Sequence, residues 1–179
     1  DRNIYSEFMD SQKSEADTMV AAKVEEIYSR YYKGTIDLEK AESELDSLSK
    51  IKSGAREEIR NMRDLFAVIV SSQENFEKGK EAYDAGELKK SIIYFGKVIQ
   101  KDAKYKEAQN RLKKISAEYR KGQIAKAEEY ANDEDYNSAI KIMYDYLKLI
   151  ANDKLAQKQL QVYKSAKLDL NISDIDCLL

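Results

Sequence analysis

Apolar residues recur every three or four positions along almost the whole chain, and no stretch alternates apolar with polar residues as a half-buried strand would. The pattern predicts an all-α fold of seven helices, at about 3–33, 37–50, 54–85, 87–101, 104–131, 134–151 and 153–168. The breaks between them fall at Gly34-Thr35, Ser53-Gly54, Ala85-Gly86, Asp102-Ala103, Asn132-Asp133 and Asn152-Asp153. These residue types end one helix or cap the next. The chain has no proline, which permits long uninterrupted helices, because proline costs about 3 kcal/mol in a helix interior.

The periodicity itself repeats. Residues 76–112 lie over 124–160 without a gap, at a shift of 48 residues. Gly79 then pairs with Ala127, Leu88 with Tyr136, Ser91 with Ala139, Phe95 with Met143, Val98 with Tyr146 and Ala108 with Ala156, small matching small and large matching large. A shift of 50 pairs Leu38 with Leu88, Ala41 with Ser91 and Leu45 with Phe95, so a third, degenerate copy opens the chain. Its turn, Gly34-Thr35-Ile36-Asp37, is two residues longer than Gly86-Glu87. Each copy is a long helix, a tight turn and a short helix, which cannot bury its apolar face alone and must stack on neighbours. Asp37, Glu87 and Asp135 open the short helices, where we expect them to cap free amides and complement the helix dipole.

The run from Gly79 through Ala82-Tyr83, Gly86, Leu88 and Ser91-Ile92 to Phe95 resembles the tetratricopeptide repeat, and Ala127, Tyr130, Tyr136 and Ala139-Ile140 are similar. The resemblance is good over 76–156, fair over 28–50 and absent before about residue 20. It implies a right-handed superhelix of about three long/short hairpins plus a C-terminal capping helix. One domain, 1–168, would hold units at about 3–50, 54–101 and 104–151 and the cap at 153–168, followed by an acidic tail at 169–179. Family units have 34 residues, whereas these have 48 to 52, with the excess in the first helices. Ala103 and Ala151 replace the proline usual after the second helix. The stretch Lys101-Asp102 to Ala108 also looks like extracytoplasmic helical-repeat segments of membrane-attached Gram-positive bacterial proteins, which points to an extracytoplasmic compartment over a cytoplasmic one.

Charge and composition narrow the chemistry. With 31 basic and 33 acidic residues, no single-sign field favours nucleic acid. The absence of histidine removes the commonest general base and metal ligand, and no glycine-rich phosphate loop is present, so we expect no enzyme, metal or cofactor. Glu25-Glu26, Glu57-Glu58 and Glu128-Glu129 sit among lysines and arginines and read as solvated helix faces. Asp169, Asn171 and Ser173 alternate as at the start of a calcium loop, but Asp174 occupies the required glycine position. Asn171-Ile172-Ser173 also fits a glycosylation acceptor. Cys177 is the single cysteine, and no membrane-spanning run is present. The chain opens on Asp1, so we expect an excised or processed piece whose lack of a signal peptide says little about location.

What remains is a surface. The resemblance lines the inner face with the first helix of each pair, placing there Tyr28, Tyr31 and Tyr32, then Phe76, Lys80 and Tyr83, then Lys121 and Glu128, with Val24 and Gln73 among their neighbours. Tyr28, Tyr31 and Tyr32 lie at i, i+3 and i+4, one patch of a residue favoured at interfaces, or else core packing between adjacent helices. Phe76, Lys80, Ile124 and Glu128 stand where the family's carboxylate clamp needs basic or amide residues, which argues against that ligand. The expectation is a non-enzymatic module for a protein or peptide ligand, monomeric or a weak homodimer, with no membrane insertion. The rival is a spacer or stalk in a larger envelope protein.

Overall fold

A computed structural model describes residues 2–51 and 54–176; within these, the side chains of Arg2 and of residues 172–176 are not described. Among the described residues the chain forms seven helices and no strand: α1 (Arg2–Tyr32), α2 (Leu38–Ser49), α3 (Arg56–Asp84), α4 (Leu88–Phe95), α5 (Tyr105–Asn132), α6 (Tyr136–Leu149) and α7 (Lys154–Asp176). The all-α expectation holds. The chain divides into two compact units, one of residues 1–78 and 97–108, the other of 79–96 and 109–179.

In the first unit the core starts well inside α1. Val20, Val24, Ile27 and Tyr31, spaced four, three and four, bury one stripe against Ala41 and Leu45 of α2 and Ile59, Met62, Phe66 and Ile69 of α3. Arg30 on α1 grips Glu44 on α2 with two hydrogen bonds of 2.7 and 3.2 Å. In the second unit, Ala127 of α5, Ala139, Met143 and Tyr146 of α6, and Ala156, Leu160 and Tyr163 of α7 form a second core.

The repeat is visible in burial. Ala41, Ser91 and Ala139, equivalent positions of the three short helices, are all fully buried, as are Ala108 and Ala156 at the equivalent place in two long ones. Gly79 lets α3 approach α4 so closely that a Cβ there would sit 3.0 Å from the Phe95 ring, and the Ser91 hydroxyl donates to the Gly79 carbonyl at 2.8 Å. The third copy replaces Gly79 and Phe95 by Ala127 and Met143, so a larger small residue accompanies a more adaptable large one.

All three hairpins reverse through one backbone motif. The last turn of the long helix closes with an i→i−5 bond, Thr35 to Arg30 at 2.9 Å, Glu87 to Ala82 at 2.8 Å and Asp135 to Tyr130 at 2.9 Å. The residue before each donor adds an i→i−3 bond and takes a left-handed conformation: Gly34 at φ 72°, Gly86 at φ 74° and Glu134 at φ 59°. Only the third lacks glycine.

The caps agree in part. Asp37 and Asp135 accept hydrogen bonds from the Lys40 and Ser138 amides at 2.8 and 3.1 Å. Glu87 makes no side-chain cap. Its carboxylate, one methylene further out, pairs with the Lys90 ammonium at 2.7 Å.

Two ends differ from expectation. Helix α4 stops at Phe95, not near 101, because polar side chains capture the chain beyond it. The Ile99 amide donates to the buried Ser72 hydroxyl at 3.1 Å instead of continuing the helix ladder, and Asp102 turns back to cap the Lys104 amide at 2.8 Å. Gly96, a poor helix former, adds to this. At the other end, α7 runs on to Asp176, so the expected acidic tail is helical over residues 169–176 and has no calcium-loop backbone there. Ser53 and Cys177, singled out in the sequence, lie outside the described residues.

The shared turn gives a prediction. An L-residue held left-handed costs about 1–2 kcal/mol, which glycine avoids. Glu134→Gly is expected to raise stability by about 0.5–1 kcal/mol, whereas Gly34→Ala or Gly86→Ala lowers it by about 1–2 kcal/mol. Urea unfolding of the three variants measures both signs.

Candidate functional site

The tyrosines at the end of α1 meet the connection between α4 and α5. Tyr28, half-buried, donates to the Lys101 carbonyl at 3.1 Å. Tyr31, 3% exposed, packs edge-on against Phe66 with centroids 5.9 Å apart and donates to Asp102 Oδ1 at 3.2 Å. Gln73 Nε2 donates in turn to the Tyr31 hydroxyl at 3.1 Å. Asp102 is fully buried, and its Oδ2 has no hydrogen-bond partner. Burial, and then the nearby Asp102 charge, push the Tyr31 hydroxyl up to about 12.

Beside this network opens a cleft of about 450 Å³ within the first unit, where Gln73 and the edge of Tyr31 meet Tyr32, Ile36 and Leu38, with Lys33 and Lys104 at its margin. Tyr32 is exposed and stacks obliquely on Tyr28, with ring centroids 6.0 Å apart. The Lys104 ammonium lies 5.7 Å from the centre of the Phe76 ring. Asp37, also at the cleft, has its carboxylate occupied in capping α2. The cleft is therefore apolar on one side and basic at the edge.

The second unit has a cleft at the equivalent place, between the Gly86 turn and the following long helix, of about 500 Å³. Leu88, Tyr119 and Gly122 line it, with Lys89 and Lys126 at its edge. Nearby, Tyr83 is exposed and reaches Glu118 at 3.5 Å. A different network joins α5, α6 and α7 in this unit: Tyr146 donates to Asp153 Oδ2 at 2.6 Å, Arg120 does so at 2.7 Å, and Asp153 Oδ1 accepts the Leu155 and Ala156 amides at the start of α7. Burial alone would raise the Asp153 carboxyl, but the Tyr146 hydroxyl, Arg120 and the Ala156 amide outweigh it and hold the group below its ordinary value. Burial first, and then the Asp153 carboxylate, raise the Tyr146 hydroxyl.

Of the eight residues expected on the binding face, Tyr32, Tyr83, Lys121 and Glu128 are exposed, and Tyr28 and Lys80 are half-buried. Tyr31 and Phe76 are corrections: both belong to the buried interior, as does the neighbouring Val24. Tyr31 turns inward because its ring packs on Phe66 and its hydroxyl binds Asp102, and Phe76 lies under the Lys104 ammonium. Gln73 lines the cleft. Sequence reasoning missed Lys33, Ile36, Leu38 and Lys104 as cleft residues, and Asp102 and Asp153 as hubs. Asp153 lies directly before α7 and Asp102 three residues before the start of α5, a helix-start signal that could have drawn attention to them.

Among the described residues no three acidic or cysteine side chains gather as a metal site would require, and no helix is long and apolar enough to cross a membrane. Compared with protein-family models, with curated proteins and with solved structures, the chain matches none.

The two hydroxyl–carboxylate networks predict opposite pH limits. Tyr31 titrates at about 12 when folded and near 10 when unfolded, so its contribution is complete below about pH 10 and is lost as pH rises toward 12. Tyr31→Phe is expected to remove that part of the alkaline slope in urea unfolding, and to cost about 1.5–3 kcal/mol at neutral pH through the lost bond to Asp102. Asp153, held below its unfolded value near 3.9, stabilises above that pH and loses its contribution as pH falls through the folded value. Asp153→Ala leaves Arg120 without its partner and is expected to cost about 3 kcal/mol near neutrality, with a flatter acid limb measured by circular dichroism.

Proposed function

We propose that the chain is a non-enzymatic, tetratricopeptide-like interaction module that holds a peptide segment of a partner protein in the cleft beside the Gly34 turn. The cleft carries this reading. Its volume falls in the range of ligand sites, its walls combine apolar Ile36 and Leu38 with the exposed amphipathic Tyr32, and its floor is fixed by the Tyr31–Gln73–Asp102 bonds. Lys33 and Lys104 favour a segment bearing acidic side chains. The repeated left-handed turn and the small residues at Gly79, Ser91 and Ala139 support a tetratricopeptide-like array of three hairpins with α7 as cap. The lack of histidine supports a binding role over a catalytic one. An extracytoplasmic bacterial setting rests on the resemblance of residues 101–108.

The burial of Tyr31 and Phe76 favours a second reading, a spacer within a larger envelope protein, since it moves two expected contact residues into the core. A photo-crosslinking residue in place of Tyr32 separates the two. The module reading expects capture of a discrete partner, competed by acidic peptides, and a drop of about tenfold or more in affinity for Tyr32→Ala and Lys33→Glu with helicity unchanged. If neither variant alters partner capture while both remain folded, the cleft is not a binding site and the spacer reading stands.

A further inference from the structure

The first half of α1 stands apart from everything else in its unit. Every residue from 3 to 15 is exposed, and the buried stripe of this helix begins only at Val20. Yet the segment is not polar all round. Ile4, Tyr5, Phe8 and Met9 are 71, 68, 59 and 49% exposed, and at 3.6 residues per turn they share one face about 140° wide. Glu7 and Asp10 point to the opposite side of the helix. A solvated helical segment of this length is marginal without packing, and an apolar patch of this size on a monomer marks an interaction surface.

We infer that this face pairs with the same face of a second copy of the chain, antiparallel, to form a homodimer. Two observations select that occupant. The four apolar residues are symmetric about the midpoint between Ser6 and Glu7, so an antiparallel pair sets Ile4 of one copy against Met9 of the other and Tyr5 against Phe8, twice over, as a two-fold interface demands. The area also suffices. At these exposures the four side chains offer roughly 500 Å² per copy, so a pair covers about 1,000 Å², the lower end for a specific interface. A lipid surface fits less well, because Glu7, Asp10, Glu15 and Asp17 outnumber Lys13 along residues 3–18 and anionic headgroups would repel them. This inference is independent of the cleft.

Sedimentation equilibrium of the chain, from low to several hundred micromolar, tests it. The expected result is a reversible monomer–dimer equilibrium in which Phe8→Glu raises the dissociation constant by about thirtyfold or more, while Ser14→Ala on the far side changes nothing. Because the core begins at Val20, Phe8→Glu leaves it intact, which circular dichroism and the unfolding midpoint verify. A spin label at Thr18→Cys, with Cys177→Ser, fixes the orientation. Antiparallel pairing places the two labels about 35 Å apart along the axis, and parallel pairing within about 20 Å. A monomer at all concentrations, a dimer indifferent to Phe8→Glu, a short label distance, or Phe8-dependent flotation with phosphatidylcholine vesicles in place of dimerisation would each overturn the proposal.

Discussion

Each of the three hairpins depends on one backbone event, a left-handed residue at the end of the long helix. A long helix can place its apolar stripe against the next helix only if the chain reverses within a few residues, and the i→i−5 bond across that residue does so while satisfying carbonyls the helix would leave open. Everything downstream inherits its position from this turn. The small residues at Ala41, Ser91 and Ala139 become close-packing points only because the reversal brings them under the preceding helix. Glu134 adopts the same conformation without glycine, so the third turn carries a backbone strain that the other two avoid.

The second organising principle is an aspartate ahead of a long helix, Asp102 fully buried and Asp153 half-buried. Each accepts a tyrosine hydroxyl and also a backbone amide where the next long helix begins: Asp102 takes that of Lys104, one residue before α5, and Asp153 those of Leu155 and Ala156 in the first turn of α7. They are not matched residue for residue, since the shift of 48 sets Asp102 against Ile150. The same solution therefore arises from different registers. Its tyrosines also differ in origin: Tyr31 comes from a long helix and Tyr146 from a short one.

Much of this was legible in the sequence, and the parts that were not have a common cause. Helical type and the turn at Gly34 and Gly86 follow from local periodicity and from backbone freedom that only particular residues supply. The close approach at Gly79 was readable from size complementarity with Phe95. What escaped depended on partners distant in the chain. Nothing local tells that Ser72 will take the Ile99 amide and end α4 six residues early, or that Tyr31 will turn inward to Asp102 while Tyr32, its neighbour, stays outside. The cleft residues Lys33 and Lys104 were hidden for the same reason, being unremarkable until the turn and the α4–α5 connection are brought together.

The early end of α4 means that equal lengths of sequence do different work in two neighbouring copies. Residues 96–101 form an irregular connection, whereas 144–149 complete a helix, although the two segments occupy the same repeat position. The copies are thus interchangeable in register but not in mechanics: one relies on helix hydrogen bonds that any sequence of good propensity provides, the other on a few specific side chains. Anyone wishing to extend this chain into a longer regular array should therefore copy the third hairpin, with glycine restored at 134, because duplicating the second would carry along a connection whose supports, Ser72, Tyr28 and Tyr31, lie partly in another hairpin.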